Sequence, residues 1–559
     1  MDSVACGGRL PDGAVSGGSI LQTRKPGQGR RDEAPVTQAH FERLVGHADI
    51  GDALVEFVNT KLLPYLRGLT GTGAHDPRDV LAAVFKETNN RMLSGYLLRD
   101  VVNKVNEINF ASSDDIHTMA HLYESMLREM RDAAGDSGEF YTPRSVVRFM
   151  VAVMNPQLGE KILDPACGTG GFLVEAYSHL EKQCKTVEHR RILQEQSIFG
   201  GEAKSLPYML CQMNLLLHGL DAPQITKGNS LEQKLTEIKD SDRVDVILTN
   251  PPFGGKEGKD AQKNFAFETS ATQVLFVQDI LAELAPGGTC AIVLDEGLLF
   301  RTNESAFVET KRKLLDECDL WAIVSLPGGV FSTAGAGVKT NLLFFTKGRR
   351  TERIWYYDLS WVKVGKKTPL TLAHFGFAPD GSVLDDAQLP AALMADWRAD
   401  EANASQPFPS YARQLGRRGT AKADSRWSWT AEFDARRSKA RADMQPLLDD
   451  ASALRTEIVD LKDKVRRLKK DGTAVEFLQA HEAQIRKKDK AAHDLEVQAA
   501  DIDAAVFDLK AVNPNTVATV DQRTSAQIID SINAQGHIVA EALARLSALL
   551  ASDARSIRN

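Results

Sequence analysis

The chain has no apolar run near the roughly 20 residues that a membrane-crossing helix requires. Its start, MDSVACGGRLPDGAVSGGS, has no basic segment leading into an apolar core. Neither a membrane association nor a secretory signal is expected, and the compartment implied is cytoplasmic. Cysteine is scarce: Cys6, Cys167, Cys184, Cys211, Cys290 and Cys318 are scattered, with no CxxC pair. That spacing argues against a disulfide framework and a thiolate zinc site, and predicts reduced thiols and no metal. A surplus of basic residues is lacking too. The formal charge is -7 at pH 7, so a surface that grips nucleic acid everywhere is excluded. Any basic surface must be local or come from a partner. No GK[ST] P-loop and no nuclease signature occurs, so the chain is expected neither to hydrolyse ATP nor to cut nucleic acid by itself.

What is present reads as several regions, since 559 residues suffice for about three or four domains. Residues 1–37 are rich in Gly, Ser and charge, and are read as a disordered leader or a tag. Residues 38–135 carry apolar positions three and four apart: Leu54, Val55, Val58 and Leu62; then Leu97, Leu98, Val101, Val102, Val105 and Ile108; then Met119, Leu122, Tyr123, Met126, Leu127 and Met130. These are amphipathic helices, and an N-terminal helical domain is predicted. From 136 to 360 short β-rich runs alternate with helix-length segments: KILD, SIFGGE, DVILTN, CAIVLD, WAIVSLP, NLLFFTK and RIWYYD. That alternation predicts an α/β fold, a mainly parallel sheet with helices on both faces and ligands at the carboxyl ends of its strands. Residues 361–430 form a loop-rich extension with weak strand signals. Residues 431–559 are helical and charged. Leu454, Ile458, Leu461, Val465 and Leu468 step by 4, 3, 4 and 3, and Leu495, Ile502 and Leu509 by seven, with Gly472 between. This predicts an antiparallel coiled-coil hairpin, followed by a helix with Ile532, Val539, Leu543, Leu546 and Leu550.

Two strand ends carry chemistry. LDPACGTGGFLVEA places Gly168, Gly170 and Gly171 where a strand turns into a helix, so a ligand can approach the backbone closely. The stretch is neither GxGxxG nor a P-loop, which favours a nucleoside without phosphates over NAD or ATP. S-adenosylmethionine (SAM) is such a ligand. Asp164 suits its ammonium end, and Glu202, closing the next strand, suits two ribose hydroxyls. A plain strand-to-helix turn is the alternative for the loop.

The second strand end is DVILTNPPFGG. An exocyclic amine has two N–H donors and a lone pair delocalised into its ring, and becomes a nucleophile when a site accepts both hydrogens. The Asn250 side-chain oxygen and the Pro251 carbonyl can serve as those two acceptors. Pro252 stiffens the loop, and Phe253 offers a flat face for stacking. A base held so must first leave its helix. The work is orientation, needing no metal and no covalent intermediate. A surface Asn-Pro turn is the alternative.

DPACGTGGF followed by NPPF resembles the amino-methyltransferases, and GEFYTPR (138–144) narrows the resemblance to modification (M) subunits of type I restriction–modification systems, N6-adenine DNA methyltransferases. The similarity runs from about 120 to 347, with GGVFSTAGAGVKTNLLFFTKG and, later, DLKAVNPN also resembling that family. It implies a Rossmann-like, SAM-dependent methyltransferase fold. It implies that Glu139, Phe140, Tyr141, Thr142, Pro143 and Arg144 line the methionine side of SAM, and that Thr169, Gly170 and Gly171 touch the cofactor. By the same resemblance Glu202 holds the ribose, Asn250, Pro251, Pro252 and Phe253 hold the target adenine, and Asn229 in KGNSL lies near the cofactor's adenine ring.

After residue 360 no compact β-rich recognition module is apparent. The expectation is that another chain reads the double-stranded DNA sequence. The resemblance implies two M subunits on one specificity (S) subunit, with a restriction (R) subunit able to join. The C-terminal helices near DLKAVNPN are the expected docking region. Other readings are a solitary DNA adenine methyltransferase, a methyltransferase for protein glutamine or an RNA base, and a non-catalytic assembly scaffold, against which the intact glycine loop and Asn250 argue.

Overall fold

The computed structural model describes residues 51–106, 142–331, 339–515 and parts of 527–543, with short interruptions inside these ranges. Among the described residues nine strands form one sheet in the order β3-β2-β1-β4-β5-β7-β6-β8-β9. They are β1 (Ile162–Asp164), β2 (Ile198–Glu202), β3 (Gln224–Lys227), β4 (Val244–Thr249), β5 (Leu284–Asp295), β6 (Cys318–Ser325), β7 (Thr340–Lys347), β8 (Arg353–Asp358) and β9 (Ser428–Glu432). All seven β-rich runs seen in the sequence are strands here. β1 to β5 pair in parallel, as do β6 and β8. β7 runs antiparallel between β5 and β6, and β9 antiparallel to β8. The sheet is thus mainly parallel, as the alternation of strand and helix requires.

The principal helices are α1 (Arg144–Met154), α2 (Gly171–Glu181), α3 (Val187–Gln196), α4 (Ser205–Leu217), α5 (Thr272–Glu283), α6 (Ser305–Glu317), α7 (Phe433–Lys470) and α8 (Val475–Val506). Successive strand residues point to opposite faces, so the sheet separates two cores. On one side Val246, Leu248, Val293 and Phe344 meet Phe149 of α1, Leu173 of α2 and Leu215 of α4. On the other, Ile247, Ile292, Leu343 and Phe345 meet Val277 of α5 and Leu314 of α6. The runs read as apolar strands because both of their faces are covered.

β3 and β9 were not expected. Both are edge strands, and β3 carries a single buried apolar residue, Ile225. A pattern of that length gives no alternation to detect. Residues 361–427 pack Phe375, Leu393, Phe408 and Trp427 against the first core before the chain enters β9.

The hairpin expectation is met by α7 and α8. Ile458 and Val465 are buried in its seam with Ala492 and Ala499. Arg455 reaches Glu496 at 2.8 Å across it. Pro446 lies inside α7, where proline removes a backbone donor. It stands between Ala440, the last α7 residue in the second core, and Ala451, the first buried in the hairpin seam.

DLKAVNPN (508–515) packs back onto the sheet after α8. Phe507 and Leu509 are 3% and 1% exposed within the second core. The Tyr356 hydroxyl donates to the Leu509 carbonyl at 2.9 Å, and Leu509 N donates to the Leu299 carbonyl at 3.0 Å. Asn513 Nδ2 donates to the Arg426 carbonyl at 2.8 Å. The segment serves within the chain as a latch on the sheet.

Among the described residues before 107, Leu54 is buried in the helix Gly51–Phe57. In the helix Gly95–Asn106, Leu97 and Val101 are exposed, whereas Leu98 and Val102 are half-buried. The stripe from Met119 to Met130 lies outside the described residues. The chain divides after Asn513 into a second unit, whose described residues between 527 and 543, among them Ile532 and Val539, are helical. No described helix is long and apolar enough to cross a membrane.

Candidate methyltransferase site

Strand order 3-2-1-4-5 reverses direction between β1 and β4, the point where an open parallel sheet leaves a crevice beyond its strand ends. Asp164 ends β1, Glu202 ends β2, and Thr249 ends β4 just before Asn250. Two adjoining clefts open there. One is lined by Thr142, Arg144, Asp164, Gly168, Thr169 and Asn250. The other is lined by Glu202, Asn229, Ser230, Pro252, Glu257 and Phe276. They share Ala166 and Asn250, so a ligand lying along both passes Asn250 midway.

The glycine loop is held on several sides. Glu202 Oε2 accepts from Gly168 N at 3.0 Å, and its Oε1 from Lys204 N at 2.7 Å. Asn214 Nδ2, buried on α4, donates to the Thr169 carbonyl at 2.9 Å. Arg144 Nη1 donates to the Gly171 carbonyl at 3.0 Å. Gly170 has φ +79° and begins α2 as its N-cap; a Cβ there would lie 2.7 Å from the Cys211 Sγ. Only glycine meets both conditions without strain. The Cys167 and Cys211 thiols are free, 3.7 Å apart, beneath this loop.

Asp164 is 1% exposed and accepts from Thr249 Oγ1 at 2.7 Å and Ala166 N at 3.1 Å, both on Oδ1. Burial pushes its carboxyl up to about 7, against the pull of those hydrogen bonds. Burial also raises Glu202, opposed by its backbone donors. Two desolvated carboxylates in one crevice suit a ligand that brings a cation and hydroxyl donors.

Asn250 is buried, and its Nδ2 donates to Thr142 Oγ1 at 3.1 Å. That bond fixes the amide rotamer, and Oδ1 is left buried with no hydrogen-bond partner. A buried acceptor without a donor costs about 1–3 kcal/mol, and this one, at the wall of both clefts, has its acceptor capacity open to a ligand N–H. Pro251 is buried and Pro252 half-buried. The Phe253 ring, half-buried, meets Phe331 edge to face at 5.7 Å between centroids. Asn229 follows β3; its Oδ1 caps Leu231 N at 3.1 Å, and its Nδ2 donates to Glu257 at 3.1 Å.

The structure thus brings together Thr142, Arg144, Asp164, Gly168 to Gly171, Glu202, Asn229 and Asn250 to Phe253. Pro143, half-buried, is the N-cap of α1 beside them. Glu139, Phe140 and Tyr141 lie outside the described residues. Sequence reasoning missed Asn214, Glu257, Phe276 and Phe331. Only Asn214 had a signal, a polar residue inside the apolar run YMLCQMNLLL. Among the described residues no group of three or more His, Cys, Asp or Glu is placed to hold a metal.

Residues 114–376 match the N-6 DNA Methylase family. The methylase subunit of the type I restriction enzyme EcoEI of Escherichia coli is 48% identical over 313 residues, which is 55% of this chain. The match spans 62% of that subunit's length. A solved modification subunit, assigned to a type I restriction enzyme of Vibrio vulnificus YJ016, is 45% identical with a TM-score of 0.59, covering 72% of this chain and 80% of that one. A chain solved in work on complex assembly and conformational transition of a type I restriction–modification system is 33% identical with a TM-score of 0.59, covering 92% of this chain and 87% of that one. With an N-6 DNA methylase domain and these relatives along most of its length, the chain belongs to the modification-subunit family of type I restriction–modification systems.

Proposed function

We propose that the chain transfers a methyl group from SAM to N6 of an adenine flipped out of double-stranded DNA. The observation that carries this is the Asn250 Oδ1, buried, without a partner and fixed in direction by Thr142. It accepts one amine hydrogen, and the Pro251 carbonyl accepts the other. Accepting both hydrogens favours a pyramidal nitrogen whose lone pair is localised rather than shared with the ring. As the N–CH3 bond forms the S–CH3 bond breaks, S-adenosylhomocysteine leaves, and the extra N6 proton passes to water. The flipped base lies against Phe253. SAM, when bound, supplies the electrophilic methyl; Asp164 holds its ammonium group, Glu202 its ribose hydroxyls, and the backbone of 168–171 lies against it. Thr142, Pro143 and Arg144 border the methionine end, and the same role is proposed for Glu139, Phe140 and Tyr141.

We read the regions as a helical N-terminal part, a catalytic part over 136–360, an extension over 361–430 and a C-terminal part that docks on a specificity subunit. Half-buried Leu454 and Leu461, beside Ala491, line a groove along the hairpin, and seams of that kind accept further helices. Two such chains on one specificity subunit, joined by a restriction subunit, form the proposed assembly.

The test is transfer of labelled methyl from SAM into unmodified DNA, with the product base identified, for the chain alone, with its specificity partner, and with Asn250→Ala in that complex. Label in N6-methyladenine only with the partner, and lost in the variant, is the expected result. Label from the chain alone makes it a solitary enzyme. No label in DNA redirects the search to protein glutamine or RNA.

A further inference from the structure

The cleft that Glu202 borders contains a second carboxylate, Glu257. It arrives on residues 255–271, the loop that leaves Asn250–Phe253, and that loop is closed at its neck. Thr272 N donates to the Gly255 carbonyl at 3.2 Å, and Glu257 N to the Ser270 carbonyl at 2.9 Å. Farther along, Asn264 Nδ2 donates to the Leu231 and Glu232 carbonyls at 3.1 and 3.0 Å. Phe265 packs with Leu231, Leu275 and Phe276 in a small core of its own. A loop tied at both neck and body presents its side chains at fixed positions.

Glu257 is half-buried, and its two oxygens are each anchored once. Oε2 accepts from Asn229 Nδ2 at 3.1 Å, and Oε1 from Thr272 Oγ1 at 3.2 Å. A carboxylate has about four acceptor positions, so capacity remains on the cleft side. Asn229 Oδ1, by contrast, already caps Leu231 N. With the ribose on Glu202, the base extends toward Asn229, Ser230 and Phe276. An adenine there needs an acceptor for its exocyclic amine.

We infer that Glu257 accepts a hydrogen bond from the 6-amino group of the cofactor's adenine and so sets the purine specificity of the site; this rests on the SAM reading of the cleft. A 6-oxo purine would turn its own oxygen lone pairs toward the carboxylate and be rejected. Asn229 and Thr272 act on the base through Glu257, by holding its oxygens in place.

The test measures dissociation constants of S-adenosylhomocysteine and S-inosylhomocysteine by calorimetry for the full chain, its Glu257→Gln variant and its Glu257→Asp variant. The inosyl ligand differs by an oxo group in place of the amine. The wild type is expected to prefer the adenosyl ligand by about ten- to a hundredfold, the scale of a hydrogen bond to a charged group. Glu257→Gln, whose amide can donate to an oxo group, is expected to lose most of that ratio. Glu257→Asp, shorter by one methylene, is expected to lose part of it. Should Glu257→Gln fail to fold, the aspartate variant decides alone. A merely structural Glu257 would weaken both ligands alike and leave the ratio unchanged. An unchanged ratio, or no preference in the wild type, overturns the inference. Binding of neither ligand by the wild type overturns the SAM reading as well, so the two failures are distinguishable.

Discussion

Asn250 Nδ2 donates to Thr142 Oγ1 at 3.1 Å across 108 residues of sequence, and the bond turns the opposite atom of the same amide, Oδ1, toward no partner at all. The threonine that precedes α1 therefore aims the asparagine that follows β4. In the complex with a specificity partner, Asn250→Ala is expected to lower single-turnover methyl transfer by at least about a hundredfold, on the scale of losing one well-placed polar group at a reacting centre. Thr142→Val keeps the shape and removes the acceptor. It is expected to lower the rate about five- to thirtyfold, equivalent to about 1–2 kcal/mol, with Thr142→Ser restoring most of it.

Burial holds the Asp164 carboxyl at about 7, well above the ordinary 3.8. Raised in the folded state, its protonation contributes stability that is fully present below about 3.8 and lost as pH rises through about 7. A bound ammonium group reverses the preference and favours the carboxylate. Affinity for SAM is therefore expected to rise from pH 6 to pH 8, with proton release on binding near pH 7. Calorimetry in two buffers of different ionisation enthalpy reads that release, and Asp164→Asn should abolish it. An equal proton release in the variant would assign the effect to another group.

Gly170→Ala places a Cβ at φ +79° and 2.7 Å from the Cys211 Sγ. Backbone strain of that kind costs about 1–3 kcal/mol. SAM affinity is expected to fall about tenfold, measured by calorimetry. Cys211→Ala in the same chain, which removes the clashing sulfur but not the strain, should recover part of the loss.

Leu509 is 1% exposed in the second core, so Leu509→Ala is expected to cost about 2–5 kcal/mol in denaturant unfolding. A truncation at about residue 440 would remove this latch with the hairpin and confuse loss of partner with loss of fold. Replacing residues 456–495 by a short glycine-serine turn spares both Phe507 and Leu509. That chain is expected to bind SAM normally and to fail to co-purify with the specificity subunit; a retained complex would place the docking surface elsewhere.

The sequence by itself determined seven of the nine described strands and two strand-end motifs, the glycine loop of 168–171 and the tetrad Asn250–Phe253. These are local signals: β-branched runs such as VDVILT, glycines at a strand end, and two prolines after an asparagine. Their convergence also followed, since parallel strands place their carboxyl ends on one edge. The hairpin was readable from its heptad steps for the same reason, periodicity over many residues, except that Leu509, expected in the seam, lies past the end of α8 in the second core.

Only the tertiary structure decided which side chains hold that site in shape. Thr142 to Asn250, Asn214 to the Thr169 carbonyl, Glu257 to Asn229, and Cys211 beneath Gly170 join residues at least 28 positions apart. No period or spacing encodes such pairs, because each partner is locally an ordinary polar or small residue. The same holds for DLKAVNPN, whose sequence resembles a family signature but does not say which surface it covers. Its leucine is buried against Leu299 and Tyr356 because α8 returns the chain to the sheet at that place, a consequence of hairpin length and register that exists only once both helices are packed.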